Sequence, residues 1–291
     1  MNHKPFIANG AKNIRLKDYD PEFTGKFKNK EGAARKLKCC KKELESFQEI
    51  LYAQNTYGLL IILQGMDTAG KDSTVKYVMS GINPMGCQVF SFKTPSAEEL
   101  NHDYLWRNMK ALPERGRIGI FNRFYYEELL VVKVHPELLD KQKIPLELKY
   151  KGNIWERRFE EIKHFEKYLV NNGIVVLKFF LNLSKKEQKE RFFERITRPE
   201  KNWKFSINDV KERGYWKDYM RAYEDMINNT ATSYAPWYVI PADKKWFTRA
   251  AVANIIISKL KNLNLKYPIM SKEDHKKNLE SLKSELENEK D

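Results

Sequence analysis

The sequence predicts an α/β fold: a parallel sheet of about five strands flanked by helices, with a helical lid. Three observations predict it. Short apolar runs alternate with segments of helical periodicity, the pattern of strand, helix, strand crossovers in a parallel sheet. The first of those runs opens the stretch LLIILQGMDTAGKDST (59–74), which breaks at a glycine and restarts as a polar helix opening. A charged helix, loop, helix segment follows the strongest strand, at about 185–221. The 291 residues, 42% of them hydrophobic, suffice for the full core of one large domain. We divide the chain into an N-terminal arm (1–30), a main domain carrying the lid (31–265) and a C-terminal tail (266–291).

The arm has few periodic apolar positions and is punctuated by Pro5, Gly10, Pro21 and Gly25. It reads as an extended segment lying on the body or on a neighbouring subunit. From Glu31 to Ala53, Leu37, Cys40, Leu44, Phe47 and Leu51 recur at spacings of three and four, which places them on one helical face beside the first strand. An intersubunit coiled coil is the weaker reading, because the pattern ends after two heptads.

Gly65 and Gly70 frame Met66, Asp67, Thr68 and Ala69 and are followed by Lys71. This is the G-x-x-x-x-G-K spacing of a phosphate loop, in which glycines let backbone N–H groups approach phosphate oxygens and the lysine reaches the terminal phosphates. A turn with a surface lysine is the alternative, but it would not need the strand and helix on either side. Asp72 stands where Ser or Thr usually holds magnesium, and Ser73 comes one place late. With Asp67, the loop carries two acids that would repel phosphate unless screened, so a divalent metal belongs to the chemistry. Asp72 can equally cap the helix that follows.

That helix runs to about Ser80, and Cys87–Phe92 supplies the second strand. Ser96 with Glu99 forms a capping box for a helix through Leu100, Tyr104 and Leu105 to about Lys110. Lys93 falls at the C-terminal end of a parallel strand, the edge where open α/β sheets bind ligands, or is an ordinary loop lysine. Arg117–Phe121 is the third strand, and Asn122 occupies the position that normally faces metal-bound phosphates. Asn can bind a metal's water or a phosphate without adding charge, and Arg123 offers a bidentate fork. Glu127 and Glu128 either restore the missing carboxylate or are solvent-facing acids at a helix start.

Trp155, Phe159, Ile162, Phe165 and Leu169 mark an amphipathic helix before the strand Ile174–Leu181. Ser184 and Glu187 cap the first lid helix, which carries Arg191 and Arg195 and leads into Arg198, Lys201, Trp203 and Lys204; Ser206 and Asp209 cap the second. Between Lys185 and Arg221 stand twelve basic and seven acidic residues. Such a hairpin over a phosphate loop is the expected shape of a kinase lid, whose cations clamp phosphates and exclude water on closure. Without the loop beneath it, it would be a solvated charged pair. Tyr238–Ile240 is the fifth strand, Asp243 begins a closing helix to Leu260, and the tail is a weak helix with Leu279, Leu282 and Leu286 on one face.

Lys and Arg number 53 against 39 Asp and Glu, a net charge of +14 that points to a polyanionic partner. Three cysteines, two of them the adjacent Cys39 and Cys40, make neither a disulfide framework nor a metal set. A reducing, cytoplasmic setting follows, with no apolar signal core and no membrane span. The arm, the first helix and the tail give material for a homo-oligomer, a dimer or tetramer.

Together, GMDTAGKDST, IGIFNRFYYEELLVVKVH, RPEKNWKFS and YAPWYVIPADKKW resemble the polyphosphate kinase 2 family over about Leu37 to Leu260. The resemblance implies a P-loop kinase fold with a helical lid. It also implies Mg²⁺-dependent transfer of a phosphoryl group between inorganic polyphosphate and a purine nucleotide. It makes Asp67 the acid beside the transferred phosphate and the Mg²⁺ ligand, with Asn122 acting through water. It makes Lys71 the loop lysine, Arg123 a phosphate clamp, and Arg191, Arg195, Arg198, Lys201 and Lys204 lid contacts. Asn122 stands where many members have Asp, and IFNR with YYEE is similar to the branch that accepts both nucleoside mono- and diphosphates. The nearest rival is an ATP-dependent nucleoside monophosphate kinase, which shares loop, sheet and lid. A nucleotide switch would need the N-K-x-D motif and a D-x-x-G turn after the third strand, which are absent. A nucleic-acid binder would alternate aromatic with basic residues on a strand, whereas these aromatics sit mainly at apolar-periodic positions.

Overall fold

A computed structural model describes residues 1–203, 206–269 and 272–289. The long apolar helix face sets the first layer. Asn29 accepts the Gly32 N–H to cap α1 (Lys30–Gln54), and Asn55, in the left-handed region, ends it. The chain then enters a six-stranded sheet whose first member comes from the arm: β1 (Ile7–Ala8), β2 (Gly58–Gln64), β3 (Cys87–Ser91), β4 (Ile118–Asn122), β5 (Ile174–Asn182) and β6 (Trp237–Pro241). The spatial order is β1-β6-β5-β2-β4-β3, with β1 antiparallel to β6 and all other pairs parallel.

The sixth strand is a departure from the five expected, and it has a simple cause. Phe6 is buried, with its ring edge-on to Phe23 and Phe247, and this anchors the arm on the body so that Ile7 and Ala8 can pair with Tyr238 and Trp237. Ile14 and Leu16 are buried as well, and their N–H groups are taken by Asn228 and Glu224.

Alternation along β2 decides the two layers. Leu59, Ile61 and Leu63 face a core shared with α1, α2 (Lys71–Val78) and α11 (Lys245–Lys261), while Leu60 and Ile62 face one shared with α6 (Ile154–Asn171) and α10 (Trp216–Thr230). Cys40, Leu44 and Leu51 of α1 are thus covered within the chain, and Asn254 of α11 donates to the Cys40 sulfur. Burial pushes that thiol's pKa up.

Between β3 and β4 the expected continuous helix is broken. Ser96 and Glu99 do exchange capping hydrogen bonds, but His102 is extended and the Asp103 carboxylate caps Leu105, so the chain makes a 3₁₀ turn (Glu99–Asn101) and a separate α3 (Trp106–Met109). After β4 come a 3₁₀ turn (Tyr125–Leu129), α4 (Val131–Val134) and α5 (Leu146–Lys149). The span 185–221, expected as the lid, holds α7 (Lys185–Thr197), α8 (Pro199–Asn202), α9 (Ile207–Gly214) and the start of α10. Asp243 does not start the closing helix; it is buried and accepts the Ser184 N–H, tying the start of α7 to the end of β6. The tail helix α12 (Lys272–Asn288) leaves Leu279, Leu282 and Leu286 exposed. Among the described residues no helix is long and apolar enough to cross a membrane.

Candidate active site

β2 pairs with β4 on one side and β5 on the other, so the carboxyl ends of the three strands meet where the order reverses, the crevice in which such sheets bind ligands. The loop that leaves β2 can make its turn only with glycine at Gly65. Its φ is 152°, and a Cβ there would meet the Leu181 carbonyl oxygen on β5 at 2.9 Å. Gly70, at φ 99°, is the N-cap of α2, so loop amides and a helix N-terminus open on the same space.

Two residues here hold backbone conformations that non-glycine residues avoid: Thr68 at φ 65° and Arg123 at φ 61°. Thr68 is held from the lid's first helix. Arg191 donates to the carbonyls of Thr68 (2.8 Å) and Ala69 (3.2 Å), and Gln188 donates to that of Asp67 (3.1 Å). Arg191 is 3% exposed and also donates to Ala242 (2.6 Å) and Asp243 (3.0 Å), so it is committed to backbone. Expected as a lid contact, Arg191 lines the cleft and also fastens the loop to the end of β6.

Lys71 is buried, and its ammonium donates to the carbonyls of Gly65 and Met66. Burial, with the Arg123 charge second, lowers its pKa, against the pull of Asp67, Glu127 and Asp72. Arg123 forms an ion pair with Asp67 at 2.9 Å. Burial works against the guanidinium charge, but Glu127 and Asp67 outweigh it and the pKa is raised. Asn122 donates to Asp72 at 2.6 Å, while its own Oδ1 and the Thr68 Oγ1 are buried without a hydrogen-bond partner.

These groups line a cleft of about 920 Å³ whose opposite wall is the lid. Asp67, Thr68, Ala69, Gly70, Lys71, Asp72, Ser73, Lys93, Asn122 and Arg123 come from the sheet side, and Arg191, Arg195 and Lys201 from the lid. The lid cations are engaged with acids: Arg195 with Asp209 at 3.0 Å, and Lys201 with Glu194 at 3.0 Å. The Lys201 hydrogen bond keeps the Glu194 carboxyl below its usual pKa, whereas burial and then Asp67 raise that of Asp209.

Two sequence expectations land elsewhere. Glu128 is buried, paired with Arg158 of α6, and lines a neighbouring cavity and not the cleft, because successive side chains of the 3₁₀ turn point in different directions; Glu127 instead accepts from Gln64 at 3.1 Å. Arg198 is exposed at the end of α7 and does not line the cleft. Lys204 lies outside the described residues. Conversely, Lys245 and Glu194 line the cleft, 3.8 Å apart, and were not legible as site residues. The quoted run ADKKW holds Lys245, but no local spacing connects it to the loop. Trp203 also lines the cleft; its indole N–H donates to the Glu200 carbonyl at 3.2 Å.

The polyphosphate kinase 2 (PPK2) family model matches residues 27–268. The chain is 45% identical over 265 residues to the ADP-polyphosphate phosphotransferase of Rhodopseudomonas palustris, covering 91% of this chain and 92% of that one. It is 42% identical over 256 residues to the AMP/ADP-polyphosphate phosphotransferase of Meiothermus ruber, covering 88% and 91%. Among solved structures, polyphosphate kinase 2 from Arthrobacter aurescens TC1 superposes with a TM-score of 0.81 at 37% identity, covering 91% of this chain and 94% of that one.

Replacing Arg191 by Met should strip four loop and strand carbonyls of their donor. We expect a stability loss on the order of 2–3 kcal/mol in urea denaturation and faster amide hydrogen exchange across residues 66–72. Unchanged stability and loop protection would return Arg191 to the role of a lid clamp.

Proposed function

Because the chain belongs to the polyphosphate kinase 2 family, we propose that it transfers the terminal phosphoryl group of inorganic polyphosphate to a purine nucleotide. The acceptors are ADP and AMP, with GDP and GMP as further ones, and the reaction is reversible. The observation that carries this reading is that Lys71, Lys93, Arg123, Arg195, Lys201 and Lys245 all line one cleft, in a chain of net charge +14. Cations set on both the sheet side and the lid side suit a polyanion lying along the cleft.

Phosphoryl transfer asks for little covalent chemistry and much positioning: the attacking and leaving oxygens in line, and the charge on the three equatorial oxygens neutralised. The loop amides and the N-terminus of α2 hold the end of the chain of phosphates. Lys71 turns from its own loop carbonyls to the terminal phosphates, and Arg123, released from Asp67, forks onto the group in flight. Asp67 then orients the acceptor phosphate. Lid closure brings Arg195 and Lys201 down and excludes water, so that the nucleotide and not water takes the phosphoryl group.

The family's chemistry calls for a divalent cation, which we take to be Mg²⁺. No cluster of three or more His, Cys, Asp or Glu able to hold a metal occurs among the described residues. That suits Mg²⁺, which is commonly held by one or two carboxylates together with substrate phosphates and water. Asp67, with the partnerless Asn122 Oδ1 acting through water, would hold it. When bound, it would neutralise negative charge on the phosphates.

The nucleoside end of the acceptor has a neighbouring cavity to occupy. A cavity of about 600 Å³ begins one residue beyond the cleft: Pro95, Leu100, Tyr104, Ile144, Leu148 and Ile154 line it, together with charged and polar side chains that include Glu99, Asp103, Arg107, Glu128, Arg158 and Glu161. Thr94 lines the cleft and Pro95 the cavity, and Arg107 of the cavity wall donates to the Lys93 carbonyl at 2.8 Å. A flat base with a phosphate tail suits such a concavity, with apolar side chains for the ring faces and polar ones for its edges.

Incubation with polyphosphate, Mg²⁺ and ADP, with no ATP supplied, should yield ATP, and AMP and GDP should be phosphorylated too. No product without ATP would favour the monophosphate kinase. Asp67→Asn should lower kcat by about 100-fold with far less change in nucleotide affinity; unchanged turnover would remove Asp67 from the mechanism. Ile144→Trp, filling the cavity, should raise the nucleotide KM about tenfold or more while the polyphosphate KM stays put. Equal effects on both, or none, would place the base elsewhere.

A further inference from the structure

The charged cluster most deeply buried in the molecule lies outside the cleft. Lys178 of β5 and Glu166 of α6 are 0% exposed and 2.6 Å apart. The Tyr125 and Tyr126 hydroxyls both donate to Glu166 Oε1, at 2.7 and 2.6 Å. Lys178 also reaches the Tyr126 hydroxyl at 3.2 Å and the Thr230 carbonyl at the end of α10 at 2.8 Å. Taking two charges out of water is costly, and an apolar pair of similar volume often serves stability as well, so such a cluster suggests that something has to be held in one arrangement.

What it holds is the segment after Arg123. Tyr125, Tyr126, Glu127 and Glu128 are consecutive, and each side chain is tied down: the tyrosines to Glu166, Glu127 to Gln64, and Glu128 to Arg158. Glu166 and Arg158 both belong to α6, so one helix fastens this turn at two levels. On its other side Arg123 is fixed by β4, which ends at Asn122. A residue at φ 61° persists only when its surroundings over-determine it. We propose that Tyr125 and Tyr126, seated on the buried Glu166–Lys178 pair, are positioning residues that hold Arg123 in its left-handed conformation and so aim its guanidinium at the transferring phosphoryl group.

This rests on the role given to Arg123 above, and the test separates the two. The double variant Tyr125→Phe/Tyr126→Phe removes both hydroxyls and leaves the ion pair and the rings in place; Tyr125→Phe alone serves if the pair fails to fold. With polyphosphate and ADP as substrates, kcat should fall about 10- to 100-fold with both KM values within about twofold; the thermal midpoint falls as well, because the buried Glu166 loses two donors, so rates are compared well below it. In an Arg123→Ala background the same Tyr changes should cause no further loss, because the residue they aim is gone. Equal losses in both backgrounds, or a lowered thermal midpoint with kcat intact, would make the cluster structural only and overturn the inference while leaving the role of Arg123 standing. Full turnover in Arg123→Ala itself would overturn both.

Discussion

One guanidinium holds the site together. Arg191 is almost completely buried, and it joins the phosphate loop at Thr68 and Ala69 to the end of β6 at Ala242 and Asp243 from a helix that belongs to the lid. Glu187 one turn earlier takes its Nε–H at 2.8 Å, so the charge is compensated locally. Hydrogen bonds to a charged group are the stronger kind, and a buried arginine can offer five donors in a fixed plane. The strained Thr68 is thereby fixed with no help from substrate, which is what preorganisation of a phosphate site requires.

The same architecture divides the lid. Its root, around Gln188 and Arg191, is fastened to the loop, while the cations that face the cleft lie further along, on the later part of α7 and on α8. The cleft's cations sit against carboxylates of the chain: Arg195 with Asp209, Lys201 with Glu194, and Lys245 of α11 with the same Glu194. Arg123 repeats the arrangement with Asp67. Partly exposed pairs of this kind contribute little to stability, so a phosphate chain can take the place of the carboxylate at small cost. The acids keep the cleft from collapsing into a purely repulsive field and leave its cations available for exchange.

Much of this was legible in the residues. The apolar runs and the glycine spacing mark the sheet and the loop, because both are short-range signals. The sixth strand was not, since two residues of arm pair only because Phe6 finds a slot against Phe23 and Phe247. The helix expected over 96–110 lost to a local competitor, the Asp103 carboxylate, which caps a new turn. Glu127 and Glu128 look alike in sequence, yet only the direction each takes from the 3₁₀ turn sends one to Gln64 and the other to Arg158. Arg191 reads as one more lid cation until the fold turns it onto carbonyls, and Lys245 reaches the cleft only through the return of β6.

In the proposed function, loop and lid act on one extended chain of phosphates. Calorimetric titration with tripolyphosphate and with progressively longer polyphosphates tests it most directly. Affinity should climb with chain length until the chain reaches from the loop to Lys201 and Lys245, then level off. Equal affinity for tripolyphosphate and long chains would contradict it, leaving a site that binds a phosphate terminus and nothing beyond.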